Sequence, residues 1–166
     1  MPDPVETLRI LVEASVAMAG FSGVVVVFGR RAEREWSQIE RARLANLLTT
    51  SFSVLFLSLT ALVLLHAGAD PKITWRIGSA TWSIIATYVV VLTARRAAQG
   101  PRDDPELPNA AWIVFLLGLS GAFVLLSVAN AVTMSEFWPF LAALVWLFAL
   151  ACYSFTRLLL VAGRSS

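Results

Sequence analysis

The chain has 166 residues, 58% of them hydrophobic and 14% charged, with a mean hydropathy of +0.74 and a net charge of +2. A water-soluble domain lies nearer half apolar and a quarter charged, so this balance excludes an ordinary soluble fold and points to a membrane protein. One cysteine, Cys152, excludes a disulfide framework and a cysteine-based metal site; no metal and no cofactor are expected.

The apolar residues gather in five blocks, at about 7–29, 44–67, 74–95, 110–133 and 137–161. Each is about 20 residues or longer, enough to cross a hydrocarbon core of about 30 Å. Backbone groups in lipid must pair within their own segment, so the blocks are expected to be helices. The expectation is an all-α bundle of five transmembrane helices forming a single domain over 1–166. The first block is not read as a cleaved signal peptide, because acidic residues precede it and arginines follow it.

Basic residues set the orientation. Ten fall in the Arg30–Arg43 loop, the Arg95–Asn109 loop and the C-terminal end, against three (Arg9, Lys72 and Arg76) on the other side. The positive-inside rule then puts the N-terminus outside and the C-terminus in the cytoplasm. Topology accounts for the net charge, so no nucleic-acid partner is expected.

Helix 1 has a marked start, with Asp3 as cap, Pro4 in the first turn and Glu6 at the capping-box position. Glu13 is its one acidic residue beyond the first turn, ahead of an apolar run that closes on Arg30 and Arg31. Glu13, Ala17, Gly20, Val24 and Val27 share one face. Around an oligomer axis that face gives carboxylates at one end, an apolar constriction in the middle and an arginine ring at the other. The bland alternative pairs Glu13 with Arg9 one turn back or lets it reach the headgroups. Ser15, Ala19 and Gly23, spaced by four, form a small-residue row where another helix can pack closely.

A second capping box, Ser37-Gln38-Ile39-Glu40, starts helix 2 near Gln38. Asn46, Thr49, Thr50, Ser53 and Thr60 give it a polar stripe, and His66 stands at its far end. Asp70-Pro71 starts helix 3, whose polar row is Ser79, Ser83 and Thr87. Packing and a wet pathway both explain such rows. Helix 4 carries Gly118, Ser120, Gly121, Ser127 and Asn130, and a tight turn at Ser135-Glu136 leads to helix 5. Gly20-Phe21-Ser22-Gly23 and Gly118-Leu119-Ser120-Gly121 echo each other in helices expected to run in opposite directions, as inverted repeats do.

The vertical order of helix 1 resembles the pore helix of Orai-type calcium channels. The likeness covers about one sixth of the chain. It is reversed in direction, and that family has four spans, not five. It implies Glu6 or Glu13 as the selectivity carboxylate and Arg30 and Arg31 as the basic inner section. Ala19-Gly20-Phe21-Ser22-Gly23 and Trp75-Arg76-Ile77-Gly78-Ser79 look like segments of small bacterial inner-membrane proteins, which implies a location and no activity. Gly-x-Ser-Gly also resembles the nucleophile motif of rhomboid-type intramembrane proteases. That likeness implies Ser22 or Ser120 as nucleophile and His66 as base. The family's glycine-rich histidine helix is absent, and the chain has one span too few.

The leading expectation is a non-enzymatic, homo-oligomeric, cation-conducting channel in a bacterial inner membrane, lined by helix 1, with lipid, ions and copies of itself as partners. The alternative is a non-catalytic assembly or sensing protein that binds through its arginine-rich loops. An intramembrane serine hydrolase comes third.

Overall fold

A computed structural model describes residues 3–31, 38–99 and 110–162, and every element among them is helical. Helix α1 covers Pro4–Arg31, α2 Gln38–His66, α3 Pro71–Gln99, α4 Ala110–Ala129 and α5 Phe137–Ala162; a π-helical turn, Asn130–Met134, follows α4. Among the described residues four helical stretches are long and apolar enough to cross a membrane: Pro4–Val24, Arg41–His66, Ala111–Met134 and Phe137–Leu160. This is the make-up of a multi-pass membrane protein. Helix α3 is not among the four; its first half carries Lys72, Arg76 and several hydroxyl residues.

Local chemistry explains the ends. Asp3 caps α1, accepting the Val5 N–H on Oδ1 at 3.0 Å and the Thr7 N–H on its carbonyl at 3.0 Å. Asp70 does the same for α3, with the Lys72 N–H at 2.8 Å and the Thr74 N–H at 3.0 Å. Helix α2 stops in a Schellman turn: Gly68 has φ +81°, its N–H reaches the Leu65 carbonyl, and the Ala69 N–H reaches Leu64. The Ser37 capping position lies outside the described residues.

Two boundaries differ from the sequence reading. Helix α3 runs past 95 to Gln99, because Arg95 through Gln99 are good helix formers and no glycine or proline intervenes before Gly100. Helix α4 leaves α geometry after Ala129, where the π turn ends on Ser135 in the left-handed region (φ 57°), whose N–H reaches the Asn130 carbonyl at 2.9 Å.

The chain divides into two compact units. The first comprises α1, α2 through Leu62, and α5 from Leu147. Its core sets Leu47 of α2 against Ala151 and Leu158 of α5, with Met18, Leu44 and Phe155 around them. Phe21 of α1 meets Phe155 at 6.1 Å, and Asn46 donates to Ser154 Oγ at 2.7 Å. Leu47, Ser51, Val54, Ser58 and Ala61 form one buried seam along α2, stepping by four and three residues as a helix–helix contact requires. The outward side of the same helix carries Phe52, Phe56 and Leu59.

The second unit runs from Val63 to Trp146. Trp75 of α3 packs on Phe137 and Phe140 of α5, with ring centroids 4.8 and 6.0 Å away. Gly78 allows that approach, since a Cβ there would stand 2.7 Å from the Phe140 ring. Phe123 of α4 stacks on Trp146 at 5.3 Å. Helix α3 buries Thr74, Ser79 and Ser83 and turns Ile73, Ile77, Ile84 and Ile85 outward. These hydroxyl groups share the inside with the rings of Trp75 and Trp82, and the large aliphatic groups outside suit a hydrocarbon surround.

Candidate functional site

Helix α1 is two-sided. Leu8, Leu11, Ser15 and Ser22 are buried, with Met18 against the first unit's core. Glu13, Ala17, Gly20 and Val24 are all exposed, and Glu6 lies exposed one heptad before Glu13. Each set follows steps of three and four residues, so each holds a constant angle on a 3.6-residue helix. A Cβ built on Gly20 meets nothing within 4 Å. Glu13 forms neither the one-turn pair with Arg9 nor another ion pair among the described residues. Val27, Arg30 and Arg31 belong to the last turns of α1, and their side chains lie outside what the structure describes.

The small-residue row divides. Ser15 is buried and donates to the Leu11 carbonyl at 2.6 Å, Ala19 is half-buried, and Gly23 is open, with nothing within 4 Å of a Cβ built there. Steps of four advance about 40° each around the helix, so the row winds off the buried side within two steps. Within one copy Gly23 meets no neighbour, which leaves that end of the row open.

The polar stripes are mostly satisfied locally. Thr50 donates to the Asn46 carbonyl at 2.7 Å, and Ser83 to the Ser79 carbonyl at 2.7 Å. Thr49, Thr60 and Thr87 are exposed. Ser22 donates to the Ala19 carbonyl at 2.5 Å, while Ser120 accepts the Trp146 indole N–H at 3.1 Å. His66 ends α2, exposed and engaged in an interaction of its own. No group of three or more His, Cys, Asp or Glu side chains among the described residues is placed to hold a metal ion.

The most connected polar group is Asn130, fully buried where the π turn begins. Its Nδ2 donates to Ser79 Oγ at 2.8 Å and to the Glu136 carbonyl at 2.9 Å, and its Oδ1 accepts the Glu136 N–H at 2.8 Å. Arg76, one turn before Ser79 on the same helix, donates to the carbonyls of Ala131 at 2.9 Å and Val132 at 3.2 Å. A helix that ends in a π turn leaves carbonyls unpaired, and the guanidinium meets them where the helix dipole is negative. Sequence reading counted Arg76 as a topology charge and Asn130 as one polar residue among several. The signal for Asn130 was its amide, set in an apolar helix six residues before the turn's last residue.

Comparison with protein-family models, with curated proteins and with solved structures gives no match. What fold and site define is a class: a chain whose described elements are all helical, with four helices among them long and apolar enough to cross a membrane, a two-sided first helix and a hydrogen-bonded α4–α5 turn.

Proposed function

We propose that the chain is one subunit of a homo-oligomeric, cation-conducting pore, with the open face of α1 turned toward the symmetry axis. One observation carries this reading: Glu13, Ala17, Gly20 and Val24 lie together on the side of α1 that its own subunit leaves uncovered. A carboxylate within an apolar span is costly against lipid and favourable beside water or a polar partner. Copies of α1 around an axis supply that setting, with Glu13 and Glu6 attracting cations and Gly20 and Val24 forming an apolar constriction. Arg30 and Arg31 then mark the basic end.

In this reading α3 is a fifth span. Its inward Thr74, Gly78, Ser79 and Ser83 and its outward isoleucines support a lipid-facing helix. Five spans, with the arginine-rich loops inside, put the N-terminus outside and the C-terminus in the cytoplasm of a bacterial inner membrane.

The test is the oligomeric mass of the purified protein in nanodiscs, together with cation flux into liposomes for wild type and Glu13→Gln. A symmetric oligomer whose flux or selectivity changes with Glu13→Gln supports the pore. A monomer without flux overturns it, and binding through the Arg30–Arg43 loop then becomes the leading explanation.

A further inference from the structure

Contacts inside the first unit fix the depth of each residue of α1. The Phe21–Phe155 ring contact sets Phe21 level with Phe155 of α5, and the Asn46–Ser154 hydrogen bond sets Asn46 level with Ser154. Only six residues, 32–37, join α1 to α2, too few to climb the length of either helix, so the two run antiparallel. Helix α2 leaves the unit after Leu62, and α5 enters it at Leu147, so these two are antiparallel as well. Counting back eight residues from Phe21 brings Glu13 level with Leu147 of α5 and Ser53 of α2. Met18 fits the same count: it falls level with Cys152 and Leu48, and it packs on the Leu47, Ala151 and Leu158 cluster.

A charge-free length then extends on both sides of Glu13. Toward the arginine-bearing end, the next charged residues are Arg43 on α2 and Arg157 on α5, each ten residues off, about 15 Å. In the other direction α2 carries no charge through Leu62, nine residues and about 14 Å on. Helix α1 itself starts at Pro4, nine residues before Glu13. The two lengths together fill a hydrocarbon core of about 30 Å, with Glu13 at its middle. Glu6 lies seven residues, about 10 Å, nearer the start of α1.

The two carboxylates on the open face therefore differ in setting. Glu6 is within reach of headgroups, whereas two methylenes are a short reach from the level of Glu13. A carboxylate at that depth calls for a counter-charge. Neither α2 nor α5 carries a lysine or arginine at its level, and Arg9, one turn nearer the start of α1, has the length to extend to the headgroups. A mobile cation suits the place.

We propose that Glu13 forms a binding site for a small inorganic cation at the middle of the membrane, with Glu6 as its outer mouth. The site rests on the pore reading for access, since cations reach it along the axis.

Depth is tested without any flux. Full-length protein in nanodiscs carries a nitroxide at Glu13→Cys or at Glu6→Cys, with Cys152→Ser in both. Power saturation by oxygen and by a water-soluble nickel chelate reads the depth of each label. The label at 13 is expected about 10 Å deeper than the label at 6. Equal depths set Glu13 among the headgroups and overturn the site. Binding is read from the infrared carboxylate band that Glu13→Gln removes. Replacing choline by sodium or calcium should shift that band, and a band indifferent to both overturns the proposal. A band that moves in Arg9→Gln but not with cations also overturns it, in favour of an ion pair with Arg9 of a second copy. Absence of flux, with depth and band as expected, removes conduction and leaves the binding site standing.

Discussion

Helix α1 and the α4–α5 turn both set strongly polar side chains beside apolar helix, and they treat them in opposite ways. At the turn, all three hydrogen-bonding positions used by Asn130 are filled by its own subunit, and Arg76 reaches two backbone carbonyls. On α1, Glu13 stands exposed on a face that its subunit leaves open. A polar group whose partners all lie within one chain serves the fold. One whose chain gives it no partner depends on something outside the chain. Variants at the two places should therefore separate stability from function.

Asn130→Ala should have the largest effect on stability. It strips partners from buried Ser79 Oγ and from both backbone groups of Glu136, whose bonds to Asn130 are part-buried. A loss on the order of 2–3 kcal/mol follows from one buried and two part-buried groups left unpaired. Unfolding of the purified protein in mixed micelles measures it, and a loss below about 1 kcal/mol would show that the cluster does not hold the turn. Gly78→Ala comes next. Its new methyl would meet the Phe140 ring at 2.7 Å, and that ring is fully buried and packed on Trp75. Overpacking of this kind costs about 1–3 kcal/mol. The companion variant Phe140→Leu should recover part of that loss in a double-mutant cycle if the clash is its cause.

Arg76→Gln should cost less, about 0.5–1.5 kcal/mol, because the side chain is exposed and water can serve the freed carbonyls. Arg76→Lys keeps the charge and loses the fork that reaches two carbonyls at once. If hydrogen bonding to Ala131 and Val132 is what counts, lysine restores only part of the stability. Full recovery by lysine would instead assign the effect to charge at the helix end.

How legible all this was in the sequence depended on the range of the interaction. Asp3 and Asp70 were readable as caps because a cap is a contact between neighbours two to four residues apart. Four of the five apolar blocks were readable as helices long and apolar enough to cross a membrane because hydrophobic length is a sum over one segment. The α3 block does not reach that hydropathy among the described residues. The seam of α2 was not: Ser51 and Ser58 are buried while Thr49 and Thr60 are exposed. In a chain surrounded by hydrocarbon both sides of a helix can be apolar, so hydrophobic periodicity no longer marks the inside. The Ser15, Ala19 and Gly23 row steps by four where the helix turns in 3.6, so within one subunit it winds from buried Ser15 to open Gly23. The pairing of Asn130 with Ser79 joins residues 51 apart, and no local pattern announces it.

Glu13→Gln should have the smallest effect on stability and the most informative effect on function. The side chain is exposed and makes no ion pair among the described residues, so the unfolding free energy of the isolated subunit should change by no more than about 0.5 kcal/mol. Glutamine keeps the length of the side chain and removes its charge. A change in flux or ion preference at constant stability would therefore belong to the charge. Ala17→Gln, on the same open face one turn along, separates charge from position, since it adds bulk to the proposed lining without removing a carboxylate. If both variants alter flux, the whole face lines a conducting path. If Glu13→Gln is silent in flux and stability alike, the open face of α1 meets lipid and its carboxylate reaches the headgroups, and the contrast with Asn130 becomes one between a buried lock and an ordinary interfacial charge.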